Sequence, residues 1–157
     1  MEEIVIQPLK ETDLEEVLAI EAASFPSPWS RQHFLSELAS PLSFPLVARA
    51  ADETIMGYIC SMLVLDEGTI LNVAVRPDSR SRGIGRLLVE AALHEFRTLG
   101  AAFVALEVRP TNLAAFSLYE SLGFIITGRR SAYYANGEDA VLMEYDMKRH
   151  GEEEHAL

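Results

Sequence analysis

The sequence predicts an α/β fold of the α+β kind: a mixed, mostly antiparallel central sheet of about seven strands with helices on both faces. Three observations predict it. The hydrophobic pattern alternates between strand and helix periods in the order strand, two helices, three strands, helix, strand, helix, two strands. At 157 residues the chain has the length of one domain. With 49% hydrophobic and 24% charged residues it can fill a core and still solvate its surface.

The elements follow in chain order. "EIVIQPL" is a short strand. In "ETDLEEVLAIEAASF", Thr12 or Asp13 caps a helix with Leu14, Val17 and Leu18 at helical spacing. "PSPWS" breaks it. Ser30 caps a second helix, "RQHFLSEL", whose Phe34, Leu35 and Leu38 share a face. "FPLVARA" and "TIMGYICSMLVLD", separated by the turn "ADE", and "GTILNVAVRP", stopped by Pro77, read as an antiparallel meander. From Gly83 to Leu99 an apolar stripe holds Ile84, Leu87, Leu88, Ala91 and Ala92, and Gly100 stands where a helix-ending glycine belongs. "AAFVALEVRP" is a nearly continuous apolar strand, the pattern of burial on both faces. Asn112 caps "LAAFSLYESL" and Gly123 ends it. "FIITGRRSAYY" and "EDAVLMEYDM" form a hairpin joined at "ANGED". Residues 1–148 are expected to form a single domain, and 149–157 an acidic, flexible tail.

A formal net charge of -11 argues against nucleic-acid binding, which needs a basic face, and suits a cationic partner or plain solubility. No apolar run approaches the roughly 20 residues that span a bilayer, so no membrane partner is expected. The start, "MEEIVIQPLK", is acidic where a secretory signal is basic. Cys60 is the only cysteine, which excludes an internal disulfide, and its mid-strand position reads as core rather than nucleophile. A cytoplasmic location is therefore expected. His33, His94, His150 and His155 lack any zinc-ligand spacing, and no metal is expected.

Two stretches carry chemistry. "RSRGIGRLL", Arg80 to Leu88, gathers three arginines and two glycines where a strand turns into a helix. The first N–H groups of a helix have no partners inside it and, with the macrodipole, attract anions. Glycines allow close approach to the backbone, and Arg80, Arg82 and Arg86 add charge suited to phosphate oxygens. The spacing matches neither G-x-G-x-x-G nor G-x-x-x-x-G-K-[ST], which disfavours a dinucleotide fold or a P-loop. A helix start with solvent-facing arginines would look the same. In "LEVRPTNLAAFSLYESLGF", Glu107 lies near the end of an apolar strand and Tyr119 on the next helix. The pair can divide proton transfer, the carboxylate as base and the phenol as acid. A strand-end charge and a packed aromatic are the alternative.

Together these segments resemble the GNAT superfamily of acetyl-CoA-dependent N-acetyltransferases. Its signature, Q/R-x-x-G-x-G/A, stands as Arg80-Ser81-Arg82-Gly83-Ile84-Gly85, with "LNVAVRPDSR" before it and "NLAAFSLYESLGF" after it. Within the superfamily, "PWS", "LDEGTILNVAV", "LEVRPTN", "SLYESLGF", "RRSAYY" and "GEDAVLM" resemble the enzymes that acetylate the N-terminal alanine of a small-subunit ribosomal protein. The resemblance implies the GNAT fold, acetyl-CoA as co-substrate and the basic N-terminus of a ribosomal protein as acceptor. It implies that Val73, Ala74 and Val75 present strand backbone to the acetyl and pantetheine arm. Arg80, Ser81, Arg82, Gly83, Ile84, Gly85 and Arg86 would hold the pyrophosphate, and Asn112 the pantetheine or leaving sulfur. Glu107 would be the base and Tyr119 the acid. Trp29, Tyr133 and Tyr134 would wall a peptide groove, or simply pack locally. An acetyltransferase for a small amine and a non-catalytic acetyl-CoA-binding module are the rival readings.

Overall fold

The computed structural model describes residues 3–150. The acidic tail 151–157, with His155, lies outside the described residues. The elements are β1 Ile4–Pro8, α1 Leu14–Ser24, α2 Arg31–Ala39, β2 Leu46–Ala50, β3 Ile55–Val64, β4 Glu67–Val75, α3 Ile84–Thr98, β5 Phe103–Val108, α4 Leu113–Leu122, β6 Ile125–Arg130 and β7 Ala140–Asp146. Their order is the predicted one. The seven strands form one mostly antiparallel sheet, ordered β1-β2-β3-β4-β5-β7-β6. The β4–β5 pair is parallel, through Glu67–Phe103, Gly68–Val104 and Thr69–Ala105. The chain divides into two compact units, Met1–Met62 with Leu71–Glu95 and Leu63–Ile70 with Phe96–Leu157.

In the first unit, β2 pairs antiparallel with β1 and β3. The β2–β3 register slips at Ala48/Arg49, where Gly57 faces Ala48 but Ile55 faces Arg49. Met56 is the extra residue of this bulge, which puts Ile55, Tyr58 and Cys60 on one face. That face packs with Leu14, Val17 and Ile20 of α1, Phe34 of α2 and Ala74 of β4 in the buried core. On Gly57's face, a Cβ at that position would meet Leu88 Cδ1 of α3 at 3.2 Å, so helices cover both faces here.

Residues 11–13 form a 3-10 turn, and α1 starts only at Leu14. Asp13 does not cap α1. Its carboxylate instead accepts from the Lys10 N–H at 3.0 Å and from Arg49 Nη2 at 2.9 Å. Ser30 caps α2 as predicted, its Oγ accepting from the His33 N–H at 3.2 Å. The α3 stripe also departs from prediction. Ile84, Leu88 and Ala92 are buried with Val89, Leu93 and Phe96, and these turn the stripe away from Leu87, which is exposed.

In the second unit, β7 pairs antiparallel with β5 and β6. β5 is not buried on both faces. Val104, Leu106 and Val108 are buried, whereas Phe103 and Ala105 are half-buried and Glu107 is exposed. Gly123 closes α4 at φ 112°, with Phe124 N–H donating to the Tyr119 carbonyl at 3.0 Å. β6 ends at Arg130 rather than Tyr134, because Ala132 takes a φ of 48° and Asp139 captures its N–H at 3.0 Å. The short turn expected at "ANGED" is thus a nine-residue loop, 131–139. A helical turn runs on to His150, whose ring stacks on Tyr145 at 4.0 Å, so Arg149 and His150, assigned to the flexible tail, are placed residues.

Candidate active site

In the first unit, β4 leads through Arg76 and a 3-10 turn, Pro77–Ser79, into the glycine corner. Ala74 is buried; Val73 and Val75 are half-buried. Ser81 at φ 65° and Gly83 at φ 78° are both left-handed, and such kinks turn successive N–H groups toward one concavity. The first helical bond of α3 runs from Leu87 N–H to the Gly83 carbonyl at 3.1 Å. The N–H groups of Ile84, Gly85 and Arg86 precede it and have no carbonyl within the helix. A Cβ on Gly83 would meet nothing within 4 Å, so the space beside this residue is empty. The Arg80 side chain folds back, donating from Nε to the Val75 carbonyl at 3.1 Å and from Nη2 to Ser24 Oγ at 3.2 Å. It therefore braces the strand end against α1 while keeping its charge at the corner.

Two features of this unit were missing from the sequence reading. Gly57 is one: a Cβ there would lie 2.7 Å from the Ala74 carbonyl oxygen and 3.3 Å from Val75 Cα. β3 can approach the end of β4 only because this residue lacks a side chain. Glu21 is the other. It lies on α1, 1% exposed, and its carboxyl group accepts from the Trp29 N–H at 2.8 Å, from Asn72 Nδ2 at 2.5 Å and from the Tyr58 hydroxyl. Burial, then the Glu21 hydrogen bond, pushes the Tyr58 phenol well above its ordinary value. Trp29 is half-buried, stacks on His33 at 3.8 Å and packs against Phe34 at 5.2 Å. Cys60 is buried in the same core, and burial, then Glu37 and Glu21, pushes its thiol up, which suits the predicted core role.

In the second unit, Glu107 stands exposed at the end of β5 with the 131–139 loop beside it. Its carboxylate, as hydrogen-bond acceptor and then as a charge, raises the Tyr133 phenol. Tyr134 is raised first by burial and then by Glu107. Tyr119 is buried on α4, and burial, then Tyr134, raises its phenol. Glu107 thus acts electrostatically on Tyr133 and Tyr134, and Tyr134 on Tyr119. Asn112 caps α4, its Oδ1 accepting from the Ala115 N–H at 3.3 Å, so only its NH2 group can donate to a ligand.

Arg109 and Glu138 hold the loop and were also not foreseen. The Arg109 guanidinium lies over the Tyr134 ring at 4.0 Å and donates to Glu138 at 3.2 Å. The Glu138 carboxylate also accepts from Thr111 Oγ1 at 2.6 Å and Asn136 Nδ2 at 2.7 Å, and these bonds, Thr111's first, lower its pKa. The signal lay in "VRPT" and "NGED", but 27 to 29 residues separate the partners.

Among the described residues no group of three His, Cys, Asp or Glu side chains is arranged to hold a metal, and no helix is long and apolar enough to cross a membrane. The first unit presents a helix N-terminus flanked by arginines, and the second a carboxylate near raised phenols.

Known proteins share this arrangement of elements. The acetyltransferase (GNAT) family model matches residues 14–124. The ribosomal protein bS18-alanine N-acetyltransferase of Salmonella typhimurium strain LT2 is 39% identical over 138 residues, 86% of this chain and 92% of that protein. Its Escherichia coli K12 counterpart is 38% identical over 142 residues, 88% and 94% of the two chains. The crystal structure of the ribosomal-protein-S18-alanine N-acetyltransferase from Escherichia coli superposes with a TM-score of 0.85 at 35% identity, covering 92% of this chain and 94% of that one. Ard1 from Thermoplasma volcanium superposes at 0.84 and 27% identity, covering 91% and 97%. With the signature at the glycine corner and matches spanning most of its length, this chain belongs to the GNAT family of acetyltransferases.

Proposed function

We propose that this enzyme transfers the acetyl group of acetyl-CoA to the α-amine of a ribosomal protein, an alanine-initiated N-terminus like that of bS18 being the acceptor. One observation supports the acetyl-CoA half: left-handed Ser81 and Gly83 lead straight into the N-terminus of α3, whose first N–H groups have no carbonyl within the helix, among Arg80, Arg82 and Arg86. The bS18-directed relatives support the acceptor. We read residues 1–148 as one catalytic domain acting in the cytoplasm.

Ser81 to Arg86 cradle the diphosphate, with Arg80 bracing the corner. The backbone of Val73, Ala74 and Val75 receives the acetyl and pantetheine arm, and the Asn112 NH2 donates to the pantetheine or the sulfur. Trp29 in the first unit, and Tyr133 and Tyr134 in the second, are the aromatic side chains assigned to the acceptor peptide. An α-ammonium has a pKa of about 8, so a small fraction is already neutral at physiological pH. Glu107, directly or through water, takes the proton, and its exposure lets either reach it. The freed amine attacks the thioester carbonyl, a C–N bond forms, the C–S bond breaks, and the second N–H proton leaves the nitrogen to make the neutral amide and replace the one Tyr119 gives the thiolate. Tyr119 is the acid in this reading: its phenol is protonated and can hydrogen-bond the departing thiolate, and the upward push of burial is offset as negative charge develops on the sulfur beside it. No covalent enzyme intermediate is needed.

An alanine-initiated bS18-type peptide and free polyamines, offered with acetyl-CoA, test the acceptor. Mass spectrometry should find one acetyl group on the peptide α-amine. Ribosomal proteins from cells with and without the gene should differ by the same mass on one first residue. Acetylation of the free amines alone would overturn the acceptor assignment.

A further inference from the structure

Glu21 has no part in the chemistry above, yet its placement is costly. A carboxyl group at 1% exposure must have its lone pairs satisfied inside the protein. Three donors from three segments satisfy it: the Trp29 N–H beyond the end of α1, the Tyr58 hydroxyl on β3 and the Asn72 amide on β4. At that burial an acceptor amine cannot reach it, so Glu21 is not a second base. Its geometry is that of a tie. Oε2 holds the loop that leaves α1, and Oε1 holds the strand residue immediately before Val73. One turn later Ser24 donates to the Ile20 carbonyl at 2.7 Å and accepts from Arg80 of the corner. The last turns of α1 thus carry separate polar links to the loop, to β4 and to the glycine corner.

We propose that Glu21 is a positioning residue for the acceptor, fixing the register of the Phe25–Trp29 loop against β4, where the thioester would lie. The inference rests on the acetyltransferase reading above. Of the three donors, only two can adapt to a change. The Asn72 amide can rotate to present its oxygen, and the Tyr58 hydroxyl can turn to accept, but the Trp29 N–H is fixed by the backbone. Glu21→Gln therefore has a solution, with the carboxamide oxygen on Trp29 and its NH2 toward the other two. Glu21→Leu, of similar size, has none and strands the Trp29 N–H.

The experiment measures acetyl-CoA Kd by calorimetry, and kcat and KM for an alanine-initiated peptide, in wild type, Glu21→Leu, Glu21→Gln and Tyr58→Phe. Glu21→Leu should raise peptide KM about tenfold or more, the size of a lost buried hydrogen bond. Acetyl-CoA Kd should stay within about twofold, and Glu21→Gln should restore most of the peptide KM. Tyr58 is fully buried and cannot touch substrate, so a rise of about threefold in Tyr58→Phe must pass through Glu21. An unchanged peptide KM in a Glu21→Leu protein that binds acetyl-CoA, or a fall in kcat alone, overturns the proposal. If Glu21→Leu does not fold, an unchanged peptide KM in Tyr58→Phe overturns it. Wild type that binds no acetyl-CoA, or modifies no peptide, removes the underlying reading instead.

Discussion

Replacing Gly57 by alanine tests whether the close approach of β3 to β4 shapes the corner. Gly57 does not sit in the left-handed region, so alanine strains no dihedral there; the obstacle is space. The new Cβ would stand 2.7 Å from the Ala74 carbonyl oxygen, a backbone atom that cannot swing aside as a side chain can. Ordinary contact begins at 3.4 Å, so β4 and β3 must part by about 0.7 Å. Overpacking of this kind costs roughly 1–3 kcal/mol. In a chain of this size each kcal/mol lowers Tm by about 2–4 °C. The functional loss should exceed the stability loss, because a misplacement near 1 Å at a reacting centre can cost about a hundredfold in rate. Thermal unfolding, calorimetry with acetyl-CoA and steady-state rates on the peptide would be run beside Gly100→Ala. That control meets nothing within 4 Å and strains only a φ of 85° at the end of α3, so its kinetics should stay normal. A Gly57→Ala protein with wild-type Tm and wild-type acetyl-CoA Kd would refute the steric argument.

Three further predictions follow from the same geometry. Glu107→Gln should lower kcat by roughly a hundredfold or more while leaving acetyl-CoA Kd unchanged, and near-normal turnover at saturating peptide would remove Glu107 as the base. Arg49→Leu strands the Asp13 carboxylate, which is 6% exposed, and should destabilise the protein by about 3 kcal/mol in denaturant unfolding; a change within about 0.5 kcal/mol would show the pair to be inert. Stability should fall at alkaline pH. Tyr58, Tyr119 and Cys60 all have folded pKa values raised by burial, so the unfolded chain loses these protons first. Stability is then complete below the unfolded values, about 8.5 for the thiol and 10 for the phenols, and declines as pH rises through them toward the folded ones. A denaturant midpoint that stays flat from about pH 8 to 10.5 would contradict this.

The cap at Ser30, the glycines that end α3 and α4, and the order of the elements were all legible, because each depends on residues within one or two turns of each other. The signature at Arg80 to Gly85 was legible for the same reason: a left-handed glycine and a helix start are local events. Bulges are not local. Met56 is inserted in β3 because of its register with β2, and that insertion alone puts Ile55 on the same face as Tyr58. Glu21 looks like any helix-surface glutamate in "LAIEAAS". Its burial depends on donors eight, 37 and 51 residues away. The exposure of Glu107 reverses the reading of an apolar strand for a similar reason, since burial belongs to what covers a face and not to the strand itself.

The sequence by itself determined the succession of strands and helices, the caps at Ser30 and Asn112, the glycines that end α3 and α4, and the glycine corner that starts α3. These follow from propensity, periodicity and backbone geometry over short spans. Only the tertiary structure decided that Gly57 lets β3 approach β4, that Glu21 becomes a buried tie, and that Arg109 and Glu138 hold the tyrosine loop beside Glu107. A hydrogen bond or a steric contact between residues far apart in sequence is set by the packing that brings them together, and no short window of sequence contains both partners.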